Sequence, residues 1–351
     1  MLVSREMKGK LRPAVSVTHG EDLDGLAAQA LFANYWEGVL GRRIVEFHRE
    51  NYATAAGRLR DLAGRLVGEF TVVLTDLGFN EEFGEPLAQL AGRQGVRVVY
   101  FDHHEPTRRA EGALRDVGVR CYASPDEFCA AATVQRVLLP GDPHAKFLAR
   151  EASASDLRAN QSRANLGLSR TIGAIASRDV RDERLGRIVD VLREPSFYDD
   201  PWLWNLVREY ERAHAREASE LRERARFYEV TGDDGTPVAL VAWTWSDLVS
   251  TGDQTRLLQE WFGEGGQVGR GDGRAPDLFV AFNSNGKASF RSASPDRLDA
   301  AKLAAAFGGG GHADRAAFNR GVRLEPGGVG AFAGDVLKRL ADLLPLYMAG
   351  G

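Results

Sequence analysis

Residues 95–104 read Gly-Val-Arg-Val-Val-Tyr-Phe-Asp-His-His. Apart from Arg97, the run from Val96 to Phe101 is β-branched or aromatic, the composition of a strand buried in a parallel sheet. It closes on a carboxylate and two imidazoles, Asp102, His103 and His104. At the end of such a strand these side chains stand at the carboxyl edge of the sheet, where open α/β folds place their sites.

The sequence before this run has a strand–helix rhythm. AVSVTH (14–19) reads as a strand and LDGLAAQALFANYW (23–36) as the helix after it. RRIVEFHR (42–49) is a second strand, followed by the helix-like AAGRLRDLAGRLV (55–67). FTVVLTD (70–76) is a third, and EPLAQLAGRQ (85–94) is the helix leading into 96–104. Strands alternating with helices require right-handed crossovers, which predicts an α/β fold with a doubly wound, mostly parallel sheet. His19, Asp76 and the Asp102–His104 group then each end a different strand, with Asp22 and Asp24 just beyond the first. Parallel strands bring all of them to one edge.

The 351 residues are enough for two domains, each with its own core. A net charge of -4 argues against a protein that binds long polyanions through a dominant basic field, and leaves room for a small anionic substrate in a local basic pocket. The two cysteines, Cys121 and Cys129, write neither a disulfide framework nor a Cys-based zinc site, and read as buried, inert thiols. The first residues lack the pattern of a signal peptide, and no apolar run is long enough to span a bilayer, so the expected location is cytoplasmic.

Convergent His and Asp residues without Cys suit Mn²⁺ or Mg²⁺ better than structural zinc. Asp22 and Asp24, two apart on a loop turning into a helix, can face two neighbouring ions, and Asp76 from another strand can bridge them. Two-metal sites activate water and stabilise the leaving oxygen in phosphoester cleavage. Any one of these Asp residues could equally cap a helix or a turn; it is their joint alignment at strand ends that favours a shared site. Asp156, in EASASDLRAN (151–160), is uninformative alone.

HGEDLDG (19–25), LTDL (74–77), DHH (102–104) and SASDL (153–157) together resemble the motifs of the DHH phosphoesterase superfamily. This superfamily includes RecJ-like nucleases, short-oligonucleotide and cyclic-dinucleotide phosphodiesterases, and family II pyrophosphatases. PDLFVAFNSNGKASFRSAS (276–294) and LDAAKLAAAFGGGGHADRAAF (298–318) resemble the DHH-associated substrate domain with its GGGH motif. The two signatures lie about two hundred residues apart in the expected order. The resemblance implies a DHH domain at 1–190, a helical linker at 191–235 and a smaller α/β substrate-binding domain at 236–351.

It also implies roles. His19 and Asp22 would hold one ion; Asp24, His103 and Asp156 would hold the other; Asp76 would bridge them. Asp102 would orient the neighbouring imidazoles, and His104 would touch substrate phosphate or assist the leaving oxygen. The first motif here is H-x-x-D-x-D, where many nucleases of the family have H-x-D-x-D, so Glu21 is an alternative to Asp22. The implied cofactor is a pair of Mn²⁺ ions, with Mg²⁺ or Co²⁺ as substitutes. The implied activity is hydrolysis of short oligonucleotides, or of cyclic or linear dinucleotides, to mononucleotides. A RecJ-like exonuclease on longer single strands is the alternative, and removal of a 3′-phosphate from a bisphosphate nucleotide a third reading.

The tract Gly308–Gly311 can bring backbone amides close to an anion as a nest. With the resemblance to the DHH-associated domain, Gly309, Gly310, Gly311, His312 and Arg291 are the expected substrate-binding residues; taken alone, the tract reads more plainly as a helix C-cap with a surface His. Asn285-Gly286 predicts a hairpin between AFNS and KASFR. His48 reads as a neighbour of the site or a surface residue, not a ligand. The charged stretch 208–227 is most simply a connecting helix, with a homodimer surface as the sharper reading. The basic arm 4–12 and the Gly-rich 266–276 read as surface segments. Two domains joined in this way would enclose a cleft selecting chain ends, dinucleotides or short oligomers.

Overall fold

The computed structural model describes residues 12–124, 126–157, 159–231, 237–244, 249, 251–262, 275–284, 286–320 and 324–348. The chain divides into two compact units, Met1–Glu209 and Tyr210–Gly351.

In the first unit, five parallel strands lie in the order β2-β1-β3-β4-β5: β1 (Ala14–His19), β2 (Ile44–Glu50), β3 (Phe70–Thr75), β4 (Val96–Asp102) and β5 (Val119–Ala123). Every residue of β1 is buried, as expected of a strand flanked by two others and covered on both faces. Val15, Val17, Val72, Leu74, Val98 and Tyr100 point to one face. There they meet α2 (Tyr52–Arg65) through Leu59 and Leu62, α3 (Glu81–Ala91) through Phe83 and Leu87, and α4 (Glu105–Asp116) through Leu114. On the opposite face Gln29 of α1 (Leu23–Ala33) donates to Ser16 Oγ at 3.1 Å. Apart from Asp24 and Gln29, α1 is made of glycine and apolar residues, and it is buried along its whole length, as a helix enclosed by other elements should be. It continues into a π-helical turn at Asn34–Val39. The unit is completed by α5 (Ala130–Leu138), α6 (Pro143–Asp156), α7 (Arg163–Ala176) and α8 (Glu183–Leu192).

The chain leaves β1 toward β2 on one side and later returns to β3 on the other. The carboxyl ends of β1 and β3 therefore flank the topological switch point of the sheet, the place where such folds open a crevice.

α9 (Pro201–Arg224) precedes the second sheet, whose order is β10-β11-β9-β8-β7-β6. It comprises β6 (Arg226–Thr231), β7 (Pro237–Thr244), β8 (Leu278–Phe282), β9 (Lys287–Ser292), β10 (Gly310–Gly311) and β11 (Arg315–Asn319). Only the β7–β8 pair is parallel; the others are antiparallel. β6 falls inside the stretch 191–235 read from sequence as a linker. The alternation of RFYEVT is strand-like, but it follows the charged helix without a break and is easily absorbed into it. β8 and β9 pair antiparallel as the Asn-Gly signal predicts; Gly286 has φ +78°, and Asn285 lies outside the described residues. Leu278, Val280, Phe282 and Phe290 pack with Leu303 of α10 (Ala300–Ala305) and Phe332 of α11 (Pro326–Met348). The arm 4–12 lies outside the described residues except for Arg12, as do 232–236 of the turn-rich 231–237 and most of 266–276. Among the described residues, no helix is long and apolar enough to cross a membrane.

Candidate metal centre

Three strand ends supply the acidic and imidazole groups. His19 is the last residue of β1 and is almost fully buried. Its Nε2 lies 3.5 Å from Asp22 Oδ2 and 3.8 Å from Glu21 Oε2, so both first-motif acids stand beside it, Asp22 the nearer. Asp22 caps α1: its Oδ1 accepts from Gly25 N at 3.0 Å, which leaves Oδ2 toward His19. The chain can turn this tightly from β1 into α1 only because residue 25 is glycine. A Cβ there would lie 2.0 Å from the His19 carbonyl oxygen.

Asp24 is buried, and burial raises its carboxyl above the usual range, although the His103 imidazole works against the rise. Its two oxygens accept from Ala130 N at 2.7 Å and Ala131 N at 2.8 Å, the unpaired amides that open α5. A helix N-terminus favours a negative charge there, and the remaining lone pairs of the carboxylate stay free for a cation.

Asp76 follows β3 in a left-handed conformation, φ +59°, that non-glycine residues seldom adopt and Asp tolerates better than most. Strain of this kind concentrates at functional sites. Its Oδ1 is 3.4 Å from His103 Nε2 and 4.0 Å from His104 Nδ1. Burial, then the charges of Asp24, Asp22, Asp102 and Asp156, push its carboxyl well above the ordinary range. His103 Nε2 also lies 3.8 Å from Asp24 Oδ2.

Asp102 is fully buried at the end of β4. Its Oδ1 lies 2.8 Å from His104 Nδ1, and its Oδ2 accepts from the Thr107 hydroxyl. Burial alone would lift this carboxyl, but these two hydrogen bonds outweigh it and hold Asp102 below the usual range. His104 is raised in turn: burial disfavours the imidazolium, and Asp102 more than compensates. The pairing turns His104 Nε2 outward, 3.5 Å from the Tyr52 hydroxyl. Asp76, Asp102, His103 and His104 each place a ligand atom within 4.8 Å of the others.

Asp156, the last residue of α6, is exposed at the rim. Desolvation, then the charge of Asp24, raises its carboxyl to about 6, so it shares the field of the cluster. The donor set fits divalent cations. Among the described residues no Lys or Arg forms an ion pair with Asp22, Asp24 or Asp76, and His19 Nδ1 and His103 Nε2 are buried without hydrogen-bond partners. Crowded buried acids beside unsatisfied imidazoles are costly unless a cation joins them.

Sequence reasoning missed Tyr52 and Thr107. Tyr52 begins α2 just beyond the end of β2, so the strand-end rule that found Asp76 could have found it. Its ring centroid is 5.4 Å from that of His19 and 6.5 Å from that of His104, and its hydroxyl accepts from Gly78 N at 3.1 Å. Burial, then Asp76 and Asp102, push the phenol upward, so it stays protonated. His48 is apart from the cluster, with Nε2 2.8 Å from Glu46. Cys129 is buried with its thiol pushed well up by burial, and Cys121 is half-buried and raised to about 12, consistent with inert thiols.

The glycine tract combines the plainer reading, a helix C-cap and a surface His, with a short strand. Gly308, at φ +79°, ends the helix, while Gly310 and Gly311 run as a short strand along β11 and not as a coiled nest. A Cβ at Gly309 would meet the Ala317 carbonyl oxygen at 2.3 Å, and one at Gly311 the Arg315 oxygen at 2.6 Å. The glycines therefore permit close strand packing and leave Gly310 facing open space. His312 is exposed at the turn into β11, and its amide donates to Arg315 O at 2.7 Å. Arg291 lies on the face of β9 turned away from the core and opposite Arg315 in the register.

No family model matches the chain, and no curated protein is similar to it in sequence. Solved structures do match. The fold defined here is shared with several solved structures. RecJ from Thermus thermophilus in complex with Mn²⁺ matches with a TM-score of 0.58 at 15% identity, covering 97% of this chain and 54% of that one. An exonuclease RecJ bound to manganese matches at 0.55 and 15%, covering 100% and 95%. PggH from Vibrio cholerae, a pGpG-specific phosphodiesterase, matches at 0.52 and 12%, covering 95% and 99%. The fold that the motif resemblance implies is thus borne out.

Proposed function

We propose that the protein is a phosphodiesterase dependent on two divalent cations, Mn²⁺ foremost, that hydrolyses short oligonucleotides or dinucleotides to mononucleotides. One observation carries this reading. Asp24, Asp76 and His103 meet at the switch point with His19–Asp22 on one side and Asp102–His104 on the other, their acids crowded and their imidazoles unsatisfied. His19 and Asp22 are assigned to one ion, Asp24, His103 and Asp156 to the second, and Asp76 to both. Cations bound there would activate water and offset charge on the phosphoryl oxygens.

The other residues act on the substrate or hold those that do. Asp102 and Thr107 fix the direction of His104, and Asp102 favours its imidazolium form, whose outward N–H can donate to a phosphate oxygen or the departing one. Tyr52 holds the loop at Gly78 and borders both His19 and His104. Gly309, Gly310, Gly311, His312 and Arg291 are assigned to substrate, with Gly310 the point at which a backbone can be approached closely.

The similarity in fold to RecJ supports a second reading, an exonuclease on longer single strands. Hydrolysis of 5′-labelled RNA and DNA from two to about twenty-four nucleotides, with Mn²⁺ and with Asp76→Ala as control, separates the two. Fast cleavage of dimers that slows sharply with length, and is lost in the variant, is the expected result. Processive degradation of long strands would support the exonuclease, and binding without products would exclude both.

A further inference from the structure

The first unit holds a cavity at the edge of its sheet opposite the strand ends that carry the acidic and imidazole groups. It measures about 400 Å³ and is lined by Arg12, Arg42, Arg97, Arg120 and Trp36, with Val96, Thr71 and neighbouring strand residues forming its floor. Thr71, Val96 and Arg97 begin β3 and β4, whereas Asp76 and Asp102 end or follow them. Five or six residues of strand separate the two places, roughly 20 Å at ~3.3 Å per residue.

The lining is one-sided in its chemistry. Among the described residues it carries four guanidinium groups and no carboxylate. Glu69 approaches Arg12 at 3.6 Å without lining the cavity, and Arg12 NH1 donates to Gly95 O at 2.6 Å. Arg12 Nε is nevertheless buried without a hydrogen-bond partner among the described residues. Trp36 is 1% exposed, clasped between Phe32 at 5.4 Å and the Arg42 guanidinium at 5.6 Å, and its indole Nε1 is likewise buried without a partner. Every polar side chain that carries charge here is a donor, so the complement is an acceptor-rich anion. Guanidinium groups match phosphate in paired hydrogen bonds. The volume lies in the lower part of the range of small-molecule sites, ~300–1,000 Å³, and is more than a single inorganic phosphate fills.

We propose that this cavity is a separate binding site for a small organic phosphate of nucleotide size. The test is calorimetric titration of the full chain with AMP, ADP and inorganic phosphate in EDTA, which keeps divalent cations out of the carboxyl-edge cluster. Arg97 and Arg120 are both exposed, so an Arg97→Glu/Arg120→Glu double variant can fold normally. AMP or ADP is expected to bind one site per chain, at least tenfold more weakly in that variant, with hydrolysis in the absence of added nucleotide unchanged. Asp76→Asn, at the opposite edge, retains nucleotide affinity within about twofold, which separates this site from the hydrolytic one. The proposal is overturned by equal affinity in the double variant, by loss of binding in Asp76→Asn, or by no binding at all. Phosphate binding as tightly as AMP would overturn it too, as would binding of oligonucleotides alone.

Discussion

Gly25→Ala should cripple the site without touching any group that bears charge. The new Cβ would sit 2.0 Å from His19 O and 2.8 Å from His19 C, against backbone that cannot rotate away. Reaching even a tight contact of 3.0–3.4 Å requires α1 and the end of β1 to part by about 1.0–1.4 Å. Gly25 is also tied on both sides: its amide donates to Asp22 Oδ1 at 3.0 Å, and its carbonyl accepts from Thr18 Oγ1 at 2.7 Å. Its displacement therefore carries Asp22 and Asp24 together, and the Asp24 bonds to Ala130 and Ala131, 2.7 and 2.8 Å long, stretch past hydrogen-bonding range. Overpacking of this size costs ~1–3 kcal/mol of stability. A misplacement near 1 Å costs on the order of 10²-fold in rate. The assay is hydrolysis of a dinucleotide at saturating Mn²⁺, with Mn²⁺ affinity followed by electron paramagnetic resonance and stability by urea unfolding. Gly57→Ala is the control, because Gly57 lies within α2 with nothing within 4 Å of its Cβ position. It should be neutral or slightly stabilising. A Gly25→Ala protein with Mn²⁺ affinity, rate and stability within about twofold or ~0.5 kcal/mol of wild type would refute the reasoning.

Asp76→Asn keeps a side chain that tolerates the left-handed φ of +59° and removes one carboxylate from the crowd. Without metal its melting temperature should equal or exceed that of wild type. With Mn²⁺ at a hundred times its dissociation constant, wild type should gain ~2.7 kcal/mol and the variant much less, readable by differential scanning calorimetry. Thr107→Ala loosens the carboxylate that aims His104; a fall of about tenfold in kcat with little change in KM is expected in steady-state kinetics. Arg65→Gln tests an ion pair away from the site. Arg65 first, then the hydrogen bond with His48, against the opposing effect of burial, holds Glu46 down to about 2 from an ordinary 4.5. Its stabilisation is therefore complete above about pH 4.5 and is lost as pH falls toward 2. Because Arg65 is 40% exposed, solvent screening limits the difference between wild type and variant to about 1 kcal/mol at pH 6. Urea unfolding at pH 6 and near pH 2.5 should find that difference shrinking, and a constant difference would exclude Glu46 as its source.

Much of this protein is legible in its sequence because the signals are local. Continuous runs of apolar, largely β-branched and aromatic residues locate β1, β3 and β4 within a residue or so of their observed bounds, since strands covered on both faces bury nearly every position. Polar residues that end apolar strands, His19, Asp76 and Asp102–His104, stand out because burial is costly for them unless the sheet edge gives them a common task. Tertiary structure decided what depends on distant partners. The order β2-β1-β3-β4-β5 puts His19 and Asp76 at the switch point, a consequence of crossover packing that no single strand encodes. Asp24 is held by amides more than a hundred residues away, and the need for glycine at position 25 arises from the His19 carbonyl. The glycine tract reads as a loop in isolation and is a strand only because β11 lies beside it. The arginines at 12, 42, 97 and 120 are scattered through the chain, and only the parallel register of the sheet gathers them around one cavity.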